Sequence, residues 1–237
     1  TLAAMQLLHE LPEHAPDFEE SMRQKLPRLP NVRALFIVGP DGFITQDTDH
    51  PFTPRANLSD RVYFRAHVEN PSLGLYIGPP LLSRSTGTWF ISVSRRVSLP
   101  DGKFGGIVVA AIEVHRFASL YRSLELGPST SIPLFRRDGT LLVRMPHIES
   151  LMGQQMSDRP LFRTHLASSA IGSYRTEAAF DGTPRVISYR ALDEYPLVVS
   201  IAIAEEAVLA PWRRNVKAVA AGGLALTLLL AAAAIAA

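Results

Sequence analysis

Short apolar runs separated by polar turns recur through the middle of the chain and predict β-strands. Residues 34–38 form one such run, and an Asp41-Gly42 turn connects it to a second run at 43–45. In the stretch 89–97, apolar and polar side chains alternate in part, as in a strand whose two faces have different environments. Three further strands are therefore predicted, at 75–77, 89–97 and 106–114.

Helical spacing of apolar residues appears in two places before residue 75. Residues 1–29 carry apolar side chains three and four positions apart, which predicts a helix interrupted by prolines. Further on, Ser59 suits a helix N-cap, and Asp60 would complement the helix dipole in the first turn. Pro71 and Gly74 limit this second helix to a short one.

The region around this short helix is repeated. Residues 59–67 return as residues 157–165, 98 positions later, with six of the nine residues identical. Such a fixed period indicates two copies of one structural unit. The sequence therefore predicts an α+β chain with two tandem modules, each ordered strand–turn–strand, short helix, three antiparallel strands. Other pairs match in the same order at offsets of 96 to 98: Asp41-Gly42 with Asp138-Gly139, Gly74-Leu75-Tyr76 with Gly172-Ser173-Tyr174, and Ile91-Ser92 with Ile187-Ser188.

The last twenty residues, 218–237, contain no charged side chain, and about 20 apolar residues suffice for a helix to cross a bilayer. Trp212 and the nearby basic residues would lie at the membrane interface. A buried helix is the alternative, although it would normally show a polar stripe. The predicted divisions are an N-terminal helix at 1–30, modules at 31–124 and 125–204, a connector at 205–217 with a joint at Pro211, and a transmembrane helix, cut short by the end of the sequence, at 218–237.

Composition excludes several classes of function. Lys and Arg total 24 against 22 Asp and Glu, a balance that does not provide the basic face needed to bind nucleic acid. The chain has no cysteine, and its seven histidines show no metal-binding spacing. Motifs of hydrolases, phosphate-binding loops and zinc peptidases are absent from the sequence. No catalytic residue, metal or cofactor is therefore predicted, and the residues given are not expected to be an enzyme.

Three motifs follow one another in the first module: Asp60-Arg61-x-Tyr63-Phe64, Ile77-Gly78-Pro79-Pro80 and Ser83-Arg84-x-Thr86-Gly87-x-Trp89. With them the chain resembles the double-Cache, or PDC, sensor domains of bacterial histidine kinases, diguanylate cyclases and chemoreceptors. The resemblance implies two PAS-like modules behind a long N-terminal helix, with a small-molecule ligand in the membrane-distal first module and often none in the proximal one. It also implies a homodimer formed through the N-terminal helices. The receptor would lie in the inner membrane, with residues 1–217 on the periplasmic side.

Candidate ligand-binding residues follow from the same resemblance. The amino-acid-binding branch has an Arg-x-Trp-Tyr motif, whose places are taken here by Arg61, Tyr63 and Phe64. Glu113 stands near a family aspartate, so that it joins the predicted site. Tyr76 is a further candidate, and Ser92 and Ser94, together with Arg96, could line a polar pocket beneath the short helix.

Each candidate also has a structural explanation. Arg61 recurs as Arg159 in the second module, so it could simply pair with a loop carbonyl or an acid in both copies. Tyr76 recurs as Tyr174, which favours a structural role. Ser92 and Ser94 fit an exposed strand face as well as a pocket, and a charged Glu113 fits the rim of a sheet.

Two functions remain open on the sequence alone, and a membrane-anchored hydrolase comes third, without any residue to nominate for catalysis. The first is a ligand-sensing domain that binds a small molecule, such as a carboxylate, and passes a conformational change to the membrane helix. The second is an ectodomain without a small ligand, which sets dimer geometry or senses a protein partner. Whether Arg61 and Tyr63 border a pocket or a packed core distinguishes the two.

Overall fold

The computed structural model describes residues 31–49, 56–117, 129–177 and 182–236, together with residues 24, 26, 29, 121 and 127. The first module, defined here as β1–β5 with α1, is built from β1 (Val32–Val38), β2 (Ile44–Asp47), α1 (Val62–Glu69), β3 (Tyr76–Leu82), β4 (Trp89–Ser98) and β5 (Phe104–Glu113). A single 3-10 turn, Val114–Arg116, follows β5.

The second module comprises β6–β10 with its helix. Its elements are β6 (Thr130–Arg136), β7 (Leu141–Met145), a 3-10 turn (Glu149–Leu151), a π-helix (Leu161–His165) that continues into α2 (Leu166–Ser168), β8 (Ile171–Glu177), β9 (Pro184–Ala191) and β10 (Leu197–Ala204). The long helix α3 (Glu205–Ala236) comes last.

Both modules have the same sheet topology. The strand order is β2-β1-β5-β4-β3 in the first sheet and β7-β6-β10-β9-β8 in the second, and every pairing is antiparallel. The predicted α+β fold of two antiparallel modules is thereby confirmed. The predicted N-terminal helix at 1–30 lies outside the described residues except for three positions, so it stays a prediction, and so do the exact domain boundaries.

The repeated Asp-Gly turns dock each helix against its sheet. Gly42 and Gly139 adopt φ values of 83° and 95°, which a residue with a Cβ rarely adopts. The carbonyl of Gly42 accepts a hydrogen bond from Leu58 N at 2.7 Å, and the carbonyl of Gly139 accepts one from Met156 N at 2.9 Å. The repeat therefore reflects a shared tertiary contact as well as turn chemistry.

The alternation predicted in β4 is observed. Ile91 and Val93 lie in a core that also contains Leu142 and Leu197 of the second module, so this core joins the two modules. Phe90 faces the opposite side of the sheet and packs under α1. A third cluster, around Leu161 and Tyr189, lies under the helix of the second module.

The joint predicted at Pro211 is wrong, because α3 continues through this proline. Proline lacks one backbone N–H and so removes one hydrogen bond of the helix. A long helix can continue through this position with some bending. In the part of the chain that the structure describes, no helix combines the length and apolar character that a membrane crossing requires. The membrane span at 218–237 accordingly stays a prediction.

Candidate functional site

The start of α1 is held in place by a charged clamp. Arg84, from the loop between β3 and β4, donates from Nη1 to Asp60 Oδ1 at 3.1 Å and from Nη2 to Asp60 Oδ2 at 2.5 Å. The hydrogen bond from Arg84 keeps the pKa of the Asp60 carboxyl below its usual value. This ion pair thus connects the Asp60-Arg61-x-Tyr63-Phe64 motif with the motif that begins at Ser83, and it lies directly before Arg61 in the sequence.

Arg61 is the N-cap residue of α1 and is partly buried. Its Nη2 donates to the carbonyl of Leu82, the last residue of β3, at 3.2 Å, and such a backbone contact fits a structural role. Its Nε, however, is buried and has no hydrogen-bonding partner in the described part of the chain. Arg61 therefore combines a structural contact with an unused buried donor.

Tyr63 and Phe64 pack into the core beneath α1 and are 1% and 5% exposed. The Tyr63 ring meets Phe36 edge-on at 6.5 Å between centroids, and Phe64 meets Phe104 in the same way at 5.4 Å. Burial raises the pKa of Tyr63 to about 12, although the positive charges of Arg61 and Arg84 act in the opposite direction. Tyr63 and Phe64 are therefore core residues in this structure.

His67 lies one turn further along α1 and is fully buried. Its Nε2 shares a hydrogen bond with Ser94 Oγ at 3.0 Å, and its ring meets Tyr76 edge-on at 6.2 Å. The carbonyl of His67 accepts a hydrogen bond from Arg96 Nη1 at 2.9 Å. Desolvation lowers the pKa of His67 to about 4, so the imidazole is neutral at pH 7.

Ser92 and Ser94 are both fully buried. The interpretation that they lie on an exposed face of the strand is therefore wrong. They lie beneath α1 because β4 places alternate residues on the same face. Ser92 Oγ has no partner among the described residues. A Cβ added to Gly78 on the neighbouring strand would come within 2.2 Å of this oxygen, so glycine preserves the space around it.

The fold and this arrangement agree with known sensor structures. The extracellular domain of rpHK1S-Z16, a protein assigned as a histidine kinase, superimposes with a TM-score of 0.72 and 38% sequence identity, covering 88% of this chain and 86% of that one. Residues 114–202 also match a family profile described as a histidine kinase sensor domain of double-Cache type. This chain belongs to the double-Cache sensor domains. It is thus an extracellular sensor domain of the kind found in membrane receptors.

More distant ligand-binding domains share the fold. The ligand-binding domain of the Pseudomonas aeruginosa PAO1 chemoreceptor PctB, in complex with L-Arg, has a TM-score of 0.65 and 17% identity, covering 90% of this chain and 82% of that one. The ligand-binding domain of Mlp24 with asparagine has a TM-score of 0.57 and 17% identity, covering 88% of this chain and 86% of that one. No curated protein matches this chain.

Glu113 lies apart from the other candidates, at the end of β5 in this double-Cache sheet. It is 6% exposed, and its carboxylate is 3.4 Å from Arg33 Nε and 3.3 Å from His115 Nε2. Arg33 also pairs with Asp49. Glu113 is therefore buried in a network of charges rather than exposed at the rim of the sheet.

Five of the seven predicted residues converge on the face beneath α1. Tyr76 and Ser94 are direct neighbours across β3 and β4. His67, which the sequence reasoning did not single out, lies at the centre of the polar part of this face. The available signal was its recurrence as His165 in the repeat. The five that converge are Tyr63, Phe64, Tyr76, Ser92 and Ser94.

Proposed function

We propose that this double-Cache domain senses a small molecule with a carboxylate group, which binds the first module between α1 and its sheet. Three buried polar atoms in this region carry the proposal: Arg61 Nε, His67 Nδ1 and Ser92 Oγ have no hydrogen-bonding partner in the described part of the chain. A buried polar group without a partner costs about 1–3 kcal/mol, so unsatisfied groups need an explanation. A polar ligand would supply their partners.

Arg61 favours a carboxylate as the recognised group. A guanidinium presents N–H groups in a planar fork that matches the two oxygens of a carboxylate. One end of this fork already bonds to Leu82, and the Nε edge remains for another acceptor. The ligands named for PctB and Mlp24, L-Arg and asparagine, are amino acids and carry the same group.

Binding would change the conformation of the first module, because Tyr63 and Phe64 pack closely beneath α1. A ligand shifts such an equilibrium only by its difference in affinity between the two states, commonly about 1–3 kcal/mol. In the proposal, movement of α1 and the sheet passes to the second module and from the end of β10 at Ala204 directly into α3.

A thermal-shift screen of the purified chain against amino acids and organic acids tests the proposal. A ligand that binds only the folded state stabilises it by about 2.7 kcal/mol at a hundredfold excess over its dissociation constant. We expect a hit whose effect disappears in Arg61→Ala. Arg65→Ala is the matched control, because Arg65 is an exposed arginine on the same helix. A hit that is unaffected by Arg61→Ala would remove Arg61 from the site.

The packing of Tyr63 favours a second candidate function. A residue that is 1% exposed in a core cluster is also compatible with an ectodomain that binds no ligand in this module and instead sets dimer geometry. The absence of any hit in a broad library that contains both compound classes would favour this function.

A further inference from the structure

The second module contains a cavity of about 310 Å³ between its π-helix and its sheet. Its floor and walls include buried apolar side chains, among them Phe135, Leu141 and Leu161. This volume is within the range of small-molecule sites, which are mostly apolar with a few polar groups. The cavity lies on the face that corresponds to the α1 face of the first module.

The hydrogen-bond registers of the two sheets show which positions of the two modules are equivalent. In β1, a register shift follows Ile37, and Phe36 pairs with Asp47 on β2. In β6, the equivalent shift follows Leu134, and Pro133 pairs with Arg144 on β7. Pro133 therefore occupies the position of Phe36.

The same alignment extends across the sheet. On the central strand of the first sheet, Val109 lies next to Phe36 on one side and pairs with Ser94 on the other. On the central strand of the second sheet, Ser200 likewise lies next to Pro133 and pairs with Tyr189. Because Ser94 on β4 and Tyr189 on β9 are equivalent, Phe90 on β4 is equivalent to Arg185 on β9. Phe90 is buried in the first module, with 4% of its surface exposed. On the helices, the repeat places Leu161 at the position of Tyr63.

At three positions where the first module has an aromatic ring, the second module has a residue without one. Phe36, Tyr63 and Phe90 fill the first module and are all less than 9% exposed. Their equivalents, which line the cavity, are Pro133, Leu161 and Arg185. The exchange both opens space and introduces a positive charge.

The charged residues that line the cavity are mainly basic. Arg144, Arg159 and Arg185 contribute three guanidinium groups, and Glu177 contributes one carboxylate. Arg144 Nη1 donates to the Pro146 carbonyl at 2.7 Å. Arg185 is similarly anchored, through Nη1 to the Ser129 carbonyl at 3.0 Å. Arg159 Nε lies 3.8 Å from the Asp158 carboxylate. A guanidinium has five N–H groups, so it can contact a protein acceptor and an anion at the same time.

We propose that the second module has a binding site of its own, for a monocarboxylate with an aromatic or similarly bulky apolar body. The apolar part would occupy the space that the rings of Phe36 and Tyr63 fill in the first module. The carboxylate would lie against Arg159 and Arg185. This site is independent of the one proposed for the first module.

Two further features of the wall fit a binding site. The helix above the cavity is a π-helix at Leu161–His165, whereas its counterpart α1 is a regular α-helix, and π-helical turns are common at functional sites. Tyr174 also lines the cavity, and burial raises its pKa to about 12. A tyrosine hydroxyl is protonated at neutral pH even at its ordinary pKa, so it can donate a hydrogen bond here.

Methyl NMR of the methionines provides a direct test with 2-naphthoate as the probe. Met156 lines the cavity and is 3% exposed, and it is one of only five methionines, so Met156→Leu assigns its signal. We expect 2-naphthoate to shift the Met156 methyl signal through its ring current and to saturate. The uncharged 2-naphthamide should bind at least about tenfold more weakly, because it cannot form the charge-assisted hydrogen bonds.

Variants separate this site from the one in the first module. Leu161→Tyr restores a ring that the first module has, and should abolish the Met156 shift while far-UV circular dichroism shows a folded chain. Arg185→Gln should weaken binding at least about tenfold. Arg61→Ala should leave the 2-naphthoate affinity unchanged, whatever the outcome of the screen for the first module.

Two results would overturn the proposal. One is the absence of a Met156 shift in the wild-type chain with 2-naphthoate at about 1 mM, because a site with a lower dissociation constant would be mostly occupied at that concentration. The other is a shift that persists in Leu161→Tyr but disappears in Arg61→Ala, because the probe would then bind in the first module.

Discussion

The guanidinium of Arg136 lies 5.6 Å from the centre of the Tyr76 ring, so that a side chain of the second module covers a residue of the first. Arg136 Nη1 is also 3.5 Å from the Tyr76 hydroxyl. Tyr76 in turn meets His67, which bonds to Ser94. A continuous series of contacts therefore leads from the second module to the buried polar face beneath α1.

The Arg136–Tyr76 contact should stabilise the pair of modules measurably. A cation–π interaction contributes about 0.5–1 kcal/mol at an exposed site and about 2 kcal/mol when it is desolvated. We expect a double-mutant cycle of Arg136→Met and Tyr76→Leu, measured by urea unfolding, to give a coupling free energy of this size. The cycle separates this contact from the ion pair that Arg136 forms with Asp138 at 2.7 Å. A coupling of zero would show that the two side chains are neighbours without energetic consequence.

His67 should make the stability of the chain depend on pH. Burial lowers its folded-state pKa to about 4, below the unfolded value of about 6.5, so that the unfolded chain binds more protons between these two values. Its contribution is present above pH 6.5 and is lost as the pH falls towards 4, in total about 3 kcal/mol.

The measurement is the free energy of unfolding of the wild-type chain and of His67→Gln, each between pH 7.5 and 4 in steps of about half a pH unit. All other titrating groups are common to both proteins, so the difference isolates His67. Parallel curves for the two proteins would mean that His67 is accessible to protons in the folded state.

Ser94→Ala should destabilise the first module by about 1–3 kcal/mol, because it leaves His67 Nε2 buried without its partner. Ser188→Ala is the control, since Ser188 is an exposed serine on the equivalent strand. It should change the unfolding free energy by less than about 0.5 kcal/mol. Equal effects of the two substitutions in urea unfolding would refute a specific role for the Ser94 hydroxyl.

Gly139→Ala should destabilise the chain more than Gly102→Ala. Both glycines have positive φ, 95° and 80°, so both substitutions carry backbone strain. At Gly139 a Cβ would also lie 2.6 Å from the backbone nitrogen of Ser157, whereas at Gly102 nothing lies within 4 Å. We expect about 1 kcal/mol of strain at Gly102 and at least about twice that at Gly139 in thermal unfolding. Similar losses would mean that the segment before the π-helix moves aside without cost.

Much of the architecture follows from local patterns. Turn residues, apolar runs and the 98-residue repeat suffice to predict two antiparallel modules, because alternation and Asp-Gly turns depend on near neighbours in the sequence. The alternation along β4 also predicts correctly that Ser92 and Ser94 share a face with Phe90. It cannot say whether that face is exposed, because burial depends on α1, which lies about thirty residues away along the chain.

Matching the two copies by residue identity alone gives the wrong alignment of β4 with β9. Ile91-Ser92 resembles Ile187-Ser188, yet Ile91 belongs to the core between the modules, whereas Ile187 lines the cavity on the opposite face. The hydrogen-bond registers align Ser92 with Ile187 instead. A displacement of one residue along a strand exchanges its two faces, and only the pairing with neighbouring strands determines the register.

The sequence by itself determined the repeat, the order of elements and the family, because these depend on residue identity and spacing. The tertiary structure alone decided that the second module has a cavity beneath its helix at the place where the first module has the rings of Phe36, Tyr63 and Phe90. Phe36, Tyr63 and Phe90 come from three separate elements, and their rings fill one space only because the sheet and α1 bring them together. Whether that space is filled depends on all three side chains packing against one another, which no single stretch of sequence specifies.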